Sequence, residues 1–288
     1  MTLSTPAIPW SHIVPLSILM LSLACSGTDR SKEELDATGN AVLEVDDAPL
    51  DSLPACLDSA LRLQDGDLRA QVDVDAGTLT VWRKEVEVEV VVEVARVDLM
   101  AFGLREGKAS YETRMGSFRI TEEAGEWQTA ARIDATFAES CDAILLDLRD
   151  AEEGSLASFR LTVGDGRVSL EGTSFDAPSP DGRLRLALAC APDDHFAGLG
   201  AQTHDVDHRG QRVPLWVSEQ GIGKTDTDEP PLVWFLQGTR HSTHVPIPAV
   251  VTSRGTAWVL NTTAYSVFDL CATDPDVAFL EVWGPKNG

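Results

Sequence analysis

No Lys, Arg, Asp or Glu occurs in the first 24 residues. Within this stretch Ile13 to Leu23 form an apolar run of 11, broken by Pro15, Ser17 and Ser22. That length suits the core of an export leader and is short for a spanning helix. Cationic residues are scarce throughout: 23 Lys and Arg stand against 46 Asp and Glu, a net charge of −23. A surface this acidic repels phosphate backbones and anionic lipid, so nucleic acid is excluded as a partner; the charge itself serves solubility. Cysteines number five, and none sits in a C-x-x-C or zinc-finger spacing. There is no internal repeat, no heptad array and no long amphipathic helical pattern, which leaves out solenoids, coiled coils and helical bundles.

What remains is strand signal. Glu85 to Val94 reads EVEVEVVVEV and is expected as one half-buried strand, valines on one face and glutamates on the other. Asp165-Gly166 lies between Phe159–Val163 and Arg167–Leu170 and predicts a hairpin. Asp181-Gly182 precedes Leu184, Leu186, Leu188 and Cys190 at period two. Further runs are Ala143–Leu148, Val213–Val217, Ala249–Thr252, Ala257–Leu260 and Val277–Trp283. The pattern predicts an all-β chain folded as a large antiparallel β-sandwich over residues 52–288.

Before it come two other segments. Leu21-Ser22-Leu23-Ala24-Cys25 resembles a bacterial lipobox, in which Cys25 becomes the acylated N-terminus; ordinary secretory cleavage beside a stray cysteine is the alternative. Residues 1–24 are then a lipoprotein-type signal peptide, and one lipid anchor would hold the protein to a membrane without spanning it. Residues 25–51 are polar, acidic and poor in aromatics, and read as a flexible tether. With Cys25 acylated, Cys56, Cys141, Cys190 and Cys271 permit two disulfides in three connectivities, although Cys190 in an apolar strand also suits a buried thiol. The expected location is periplasmic or cell-surface.

The densest signals lie between His195 and Leu270. Gly198 and Gly200 follow a strand-like run, then come Arg209-Gly210, Pro214-Leu215-Trp216, Ser218-Glu219-Gln220-Gly221-Ile222-Gly223-Lys224 and Pro246-Ile247-Pro248. Close-set glycines mark backbone that turns with positive φ or approaches a neighbour closely. In this order the motifs resemble the N-terminal β-sandwich of glycoside hydrolase family 31, the retaining α-glycosidases with the α-glucosidases among them. The Ser-Glu-Gln-Gly segment is most similar to the sulfoquinovosidase-like branch. The resemblance implies a galactose-mutarotase-like supersandwich. It departs from the pattern at Ala201, where the family has a glutamate.

In that family a (β/α)8 barrel follows the sandwich and holds both catalytic carboxylates, and such a barrel needs about 250 residues. Five residues follow Trp283. The expectation is therefore a domain with no catalytic residue and no cofactor, partnered by a barrel in cis or trans and inactive alone toward its α-glycoside.

The loop from Trp216 to Lys224 carries an aromatic ring for stacking on a pyranose and Glu219 and Gln220 to accept hydroxyl hydrogens. The resemblance places this loop at the barrel mouth; the alternative is that Trp216 is core and the loop only docks. His241 and His244 open the neighbouring segment and join the substrate-binding set. His195, His241, His244 and Glu281 would be the acid and base of a mutarotase-like aldose epimerase, if they converged. His204-Asp205-Val206-Asp207-His208 has metal-ligand residue types, but on a strand the histidines and aspartates would point to opposite faces, so no metal site is expected. Asn261-Thr262-Thr263 fits the glycosylation acceptor pattern, which is common by chance. The function expected is the N-terminal domain of an exported family 31 glycosidase, with a stand-alone carbohydrate-binding lipoprotein as the alternative.

Overall fold

A computed structural model describes residues 16–23, 60–85, 90–115, 117–175, 182–218, 224, 227 and 238–284. In chain order the strands are β1 (Leu16–Leu23), β2 (Leu61–Asp65), β3 (Leu68–Asp73), β4 (Thr78–Glu85) and β5 (Val90–Arg105). Next come β6 (Gly107–Arg114), β7 (Ser117–Ala124), β8 (Gln128–Thr129), β9 (Arg132–Phe137), β10 (Ala143–Arg149), β11 (Ser155–Gly164) and β12 (Arg167–Phe175). The last are β13 (Arg183–Ala189), β14 (Phe196–Gly200), β15 (Gln211–Leu215), β16 (Pro246–Thr252), β17 (Thr256–Val259), β18 (Ser266–Asp274) and β19 (Val277–Trp283). No helix occurs among the described residues.

Two sheets hold all but one hairpin. The first has eight strands in the order β14-β16-β17-β1-β12-β11-β10-β9. The second has nine, in the order β15-β18-β19-β13-β5-β4-β3-β2, with β8 pairing β5 off that path. The hairpin β6–β7 stands apart. Ladder pairing is antiparallel throughout. Between the sheets lies one core. Leu184, Leu186 and Leu188 of β13 and Leu280 and Val282 of β19 face Ile144, Leu146 and Leu148 of β10 and Phe159 and Leu161 of β11 across it. Phe102 meets Phe159 edge-on at 5.3 Å, and Phe159 meets Phe175 at 5.7 Å. Each such side chain withdrawn from water contributes about 1.5–3 kcal/mol.

The Asp165-Gly166 hairpin forms as expected, joining β11 to β12 with both residues at positive φ (51° and 68°). Glu85 to Val94 does not form one strand. Glu85 ends β4 and Val90 begins β5, and these two residues pair across the antiparallel ladder. Val90 and Val92 are exposed, and the inward set resumes only at Val94 and Ala95, beside an irregularity opposite Val81 and Trp82. Alternation shows that both arms are extended but not where the chain doubles back.

Cys190 and Cys271, 81 residues apart, form a disulfide, so Cys190 is not the buried thiol its apolar strand also allowed. Cys141 is disulfide-bonded too, to a cysteine outside the described residues. The apolar run expected as an export leader is placed partly in the fold. Backbone pairs Met20↔Ser169 and Met20↔Val259 set β1 between β12 and β17. The acidic tether, Cys25 and Cys56 lie outside the described residues.

Candidate functional site

β15 ends the nine-stranded sheet, and β16 lies second from the edge of the other. At one end of the sandwich the residues just beyond β15 and just before β16 join. Val217 and Thr243 form an isolated parallel bridge, and the Ser218 amide donates to the Thr243 carbonyl at 2.9 Å. The Thr243 hydroxyl donates to the Ala201 carbonyl at 3.1 Å and accepts from the Val245 amide at 3.2 Å. A second parallel bridge pairs Lys224 with Gly238, and the Lys224 ammonium reaches the Thr203 hydroxyl at 3.0 Å.

This junction depends on glycine. Gly200 has φ of 85°, and a Cβ there would lie 2.0 Å from the Val245 carbonyl oxygen. At Gly198, with φ of 132°, a Cβ would lie 2.7 Å from the Ala249 carbonyl oxygen. The glycine pair singled out in the sequence is what lets β14 lie against β16. Leu199 between them also has positive φ, 62°, while its side chain is fully buried. Packing holds it in a conformation that a leucine rarely takes.

The joined segments open a cleft of about 410 Å³, lined by Leu215, Trp216, Val217, Pro246, Pro248, Thr262, Thr263, Ala264 and Ser266. Its walls are mostly apolar, with the hydroxyls of Thr262, Thr263 and Ser266 as polar points. Trp216 is half-buried rather than core. Behind it the rings form a ladder: Trp216 to Tyr265 at 5.8 Å, Tyr265 to Trp283 at 4.4 Å, and the Arg183 guanidinium over Trp283 at 3.7 Å. Burial pushes the Tyr265 phenol up to about 12. Val217 at the cleft, and Val245 and Ile247 beside it, are about half exposed.

Among the described lining residues there is no carboxylate and no histidine. Glu219 and Gln220 lie outside the described residues. His244 is exposed beside the Thr243 bridge. His241 is buried at 3 % exposure, edge-on to His204 at 6.5 Å, and does not line the cleft.

The acid and base considered for epimerisation do not meet. Glu281 receives Arg105 at 3.1 Å, Arg212 at 3.5 Å and the Trp283 indole N–H at 2.8 Å. His195 is paired elsewhere, its Nδ1 2.6 Å from Asp207. The segment 201–210 forms a loop, not the strand assumed for His204 to His208. Asp205 and Asp207 accept from nearby backbone amides, Val206 and Arg209, and such local bonds compete with ladder pairing. Among the described residues no three His, Cys, Asp or Glu side chains converge as metal ligands would.

Pro246 and Pro248, which wall the cleft, belong to the segment from His241 to Pro248 expected at this edge, whereas Thr262, Thr263, Ala264 and Ser266 on its polar side were not foreseen.

The fold and site define an all-β, two-sheet sandwich with a cleft walled by Trp216 at one end. Comparisons with known proteins narrow it. No protein-family profile matches the chain. It is 34 % identical over 124 residues, 41 % of its length, to a sulfoquinovosidase of Agrobacterium fabrum. To a sulfoquinovosidase of Escherichia coli it is 29 % identical over 187 residues, 62 % of its length. Among solved structures, a GH31 family sulfoquinovosidase from E. rectale in complex with an aza-sugar inhibitor shares the fold. Its TM-score is 0.58 at 18 % identity, with 75 % of this chain and 30 % of that one covered. The chain is thus related to the sulfoquinovosidases of glycoside hydrolase family 31. It spans only 18 % and 26 % of the length of the two curated relatives it matches.

Proposed function

We propose that this chain is the N-terminal sandwich of an exported family 31 glycosidase, and that the Trp216 edge docks a catalytic barrel supplied in cis or in trans. The observation that carries this reading is the Val217–Thr243 bridge. It gathers both candidate segments at one end of the sandwich, with exposed Val217, Val245 and Ile247 around a half-buried Trp216. Apolar side chains grouped at one edge suit an interdomain surface. The loop from Trp216 to Lys224 then leans toward the substrate, and the substrate class is the glycoside on which sulfoquinovosidases act. Both catalytic carboxylates belong to the barrel. Export with acylation at Cys25 is part of the same proposal; the disulfides at Cys141 and between Cys190 and Cys271 are consistent with an oxidising compartment.

The test is hydrolysis of a chromogenic α-glycoside panel that includes an α-sulfoquinovoside. The chain alone is compared with the chain joined to whatever polypeptide its gene encodes downstream. The expected result is turnover only in the joined form, weakened when Val217 and Ile247 are changed to Asp. Turnover by the chain alone that a single Asp or Glu substitution abolishes overturns the proposal.

A second reading is a stand-alone carbohydrate-binding lipoprotein. Its support is that Trp216 and the hydroxyls of Thr262, Thr263 and Ser266 already line a cleft without any further domain. Saturable binding of a neutral sugar by the isolated chain, lost in Trp216→Ala, would favour it.

A further inference from the structure

On β13 and β19 the residues that alternate with the core leucines face away from the opposite sheet. They form rows across strands. Arg183 pairs with Arg105 on one side and Trp283 on the other, and Arg185 pairs with Gly103 and Glu281. Gly103 has no side chain to stand in the way, and a Cβ there would meet Trp127 at 3.0 Å and the Arg185 Nε at 3.2 Å. Trp127 and Arg185 lie over it. The Trp127 indole has the Arg185 guanidinium at 4.3 Å and that of Arg105 at 4.4 Å, and Phe279 lies 4.8 Å from Arg185.

The carboxylates of this face are taken by other cations. Glu281 is held by Arg105, Arg212 and Trp283, and Glu122 by Arg183 at 2.9 Å and Arg105 at 3.6 Å. Arg185 has no hydrogen-bonded acceptor and no ion pair among the described residues. Its Nε is buried without a partner. Two aromatic rings hold its head in place, and burial lowers its pKa below the ordinary arginine value, Glu281 opposing this and Arg105 adding to it. A partly buried guanidinium, held between aromatic rings with no carboxylate bonded to it among the described residues, is an uncommon thing in a chain of net charge −23.

We propose that Arg185, walled by Trp127 and Phe279 on the outer face of the nine-stranded sheet, binds the oxyanion group of a small anionic ligand through its fork. The site is separate from the Trp216 cleft, and it does not depend on the barrel-docking reading. Arg105 adds positive charge without a free fork, because its Nη2 is committed to Glu281. The ring of Trp127 fixes the orientation of Arg185, which keeps the entropic cost of binding low.

The test is a calorimetric titration of the purified chain with sodium sulfate, sodium acetate and sodium glucuronate, each against sodium chloride at matched ionic strength, with glucose as the uncharged control. Saturable binding of at least one oxyanion and none of glucose is expected, with sulfate and acetate separating a tetrahedral from a planar preference. Arg185→Gln should weaken binding about tenfold or more, the loss of one charged hydrogen-bonding group, and Arg185→Lys, which keeps the charge and loses the fork, by less. Unchanged near-ultraviolet dichroism shows that the variants are folded; if Arg185→Gln is not, Arg185→Lys and a shift of the Arg185 Nε–H resonance on titration decide. No saturable oxyanion binding overturns the proposal, as does binding that Arg185→Gln and Arg185→Lys both leave intact, or glucose binding as tight as glucuronate.

Discussion

Arg254 grips Asp194 with two parallel bonds, Nε to Oδ1 at 2.7 Å and Nη2 to Oδ2 at 2.8 Å. Asp194 also accepts from the Ala191 amide at 2.7 Å, and its side chain is only 5 % exposed. The pair ties the turn before β14 to the turn between β16 and β17, 60 residues further on. Asp194→Ala leaves the Arg254 fork without its carboxylate in a largely buried position. The expected cost is about 3–5 kcal/mol, seen as a lowered urea midpoint with an unchanged slope. A loss below about 1 kcal/mol would mean that solvent serves Arg254 equally well.

Gly200→Ala should separate β14 from β16. The new methyl would meet the Val245 carbonyl oxygen, and a positive φ adds about 1–2 kcal/mol for any residue with a Cβ. The expected destabilisation is about 2 kcal/mol or more, with faster hydrogen exchange at Ala201, whose amide donates to Val245 at 2.9 Å. Wild-type exchange at that amide in the variant would refute the packing argument.

Asp207 bears on the acid limb of stability. Burial alone would raise its pKa, but the His195 contact and bonds from the Phe196 and Arg209 amides outweigh this and leave it lowered. A carboxylate held lower when folded adds stability above its unfolded pKa and loses it as pH falls through the folded one. Asp207→Asn should therefore flatten part of the stability change seen at acid pH. The group is substantially exposed, so the effect should shrink in high salt.

Tyr265 governs the alkaline side. Its phenol is held to about 12, mainly by burial, with Glu281 and Glu122 adding to Arg212 and Arg183 opposing. A raised pKa gives stability that is complete below the unfolded value of about 10 and is lost as pH climbs through the folded one. Tyr111→Phe leaves Tyr265 as the chain's one tyrosine. Its phenolate absorbance should then appear near pH 12 while the protein is folded, and a midpoint near 10 in folded protein would show that the ring ladder is open to water.

The export proposal concerns β1 directly. If Cys25 becomes the N-terminus, Leu16–Leu23 leaves the sheet, and β12 and β17 each lose a paired neighbour. Mass spectrometry of protein made in a bacterial host should find diacylglyceryl-Cys25 first, and amides of β17 should exchange faster than in a Cys25→Ala form that keeps its leader. Recovery of unprocessed chain from the membrane fraction, with Leu16–Leu23 retained, would contradict lipoprotein processing.

Much of the fold was open to reading from local pattern. Strands β11 and β12 follow from apolar residues at period two on either side of the Asp165-Gly166 turn, and β13 and β19 from their own apolar alternation, because each pattern is satisfied by one buried face. Gly198 and Gly200 announced a close approach, since only a residue without Cβ tolerates it. Three matters were decided elsewhere. Glu85 and Val90 belong to two antiparallel strands and not one, and a run of identical dipeptides carries no mark of where one strand ends and the next begins. His241 is buried near His204 and not in the cleft, because its depth depends on which sheet end the loop covers. Arg185 comes to lie over Gly103 with Trp127 and Phe279 around it through strand neighbours some 80 residues apart in the chain. Periodicity reports which face a residue takes; only the order of strands in the sheet reports who stands beside it there.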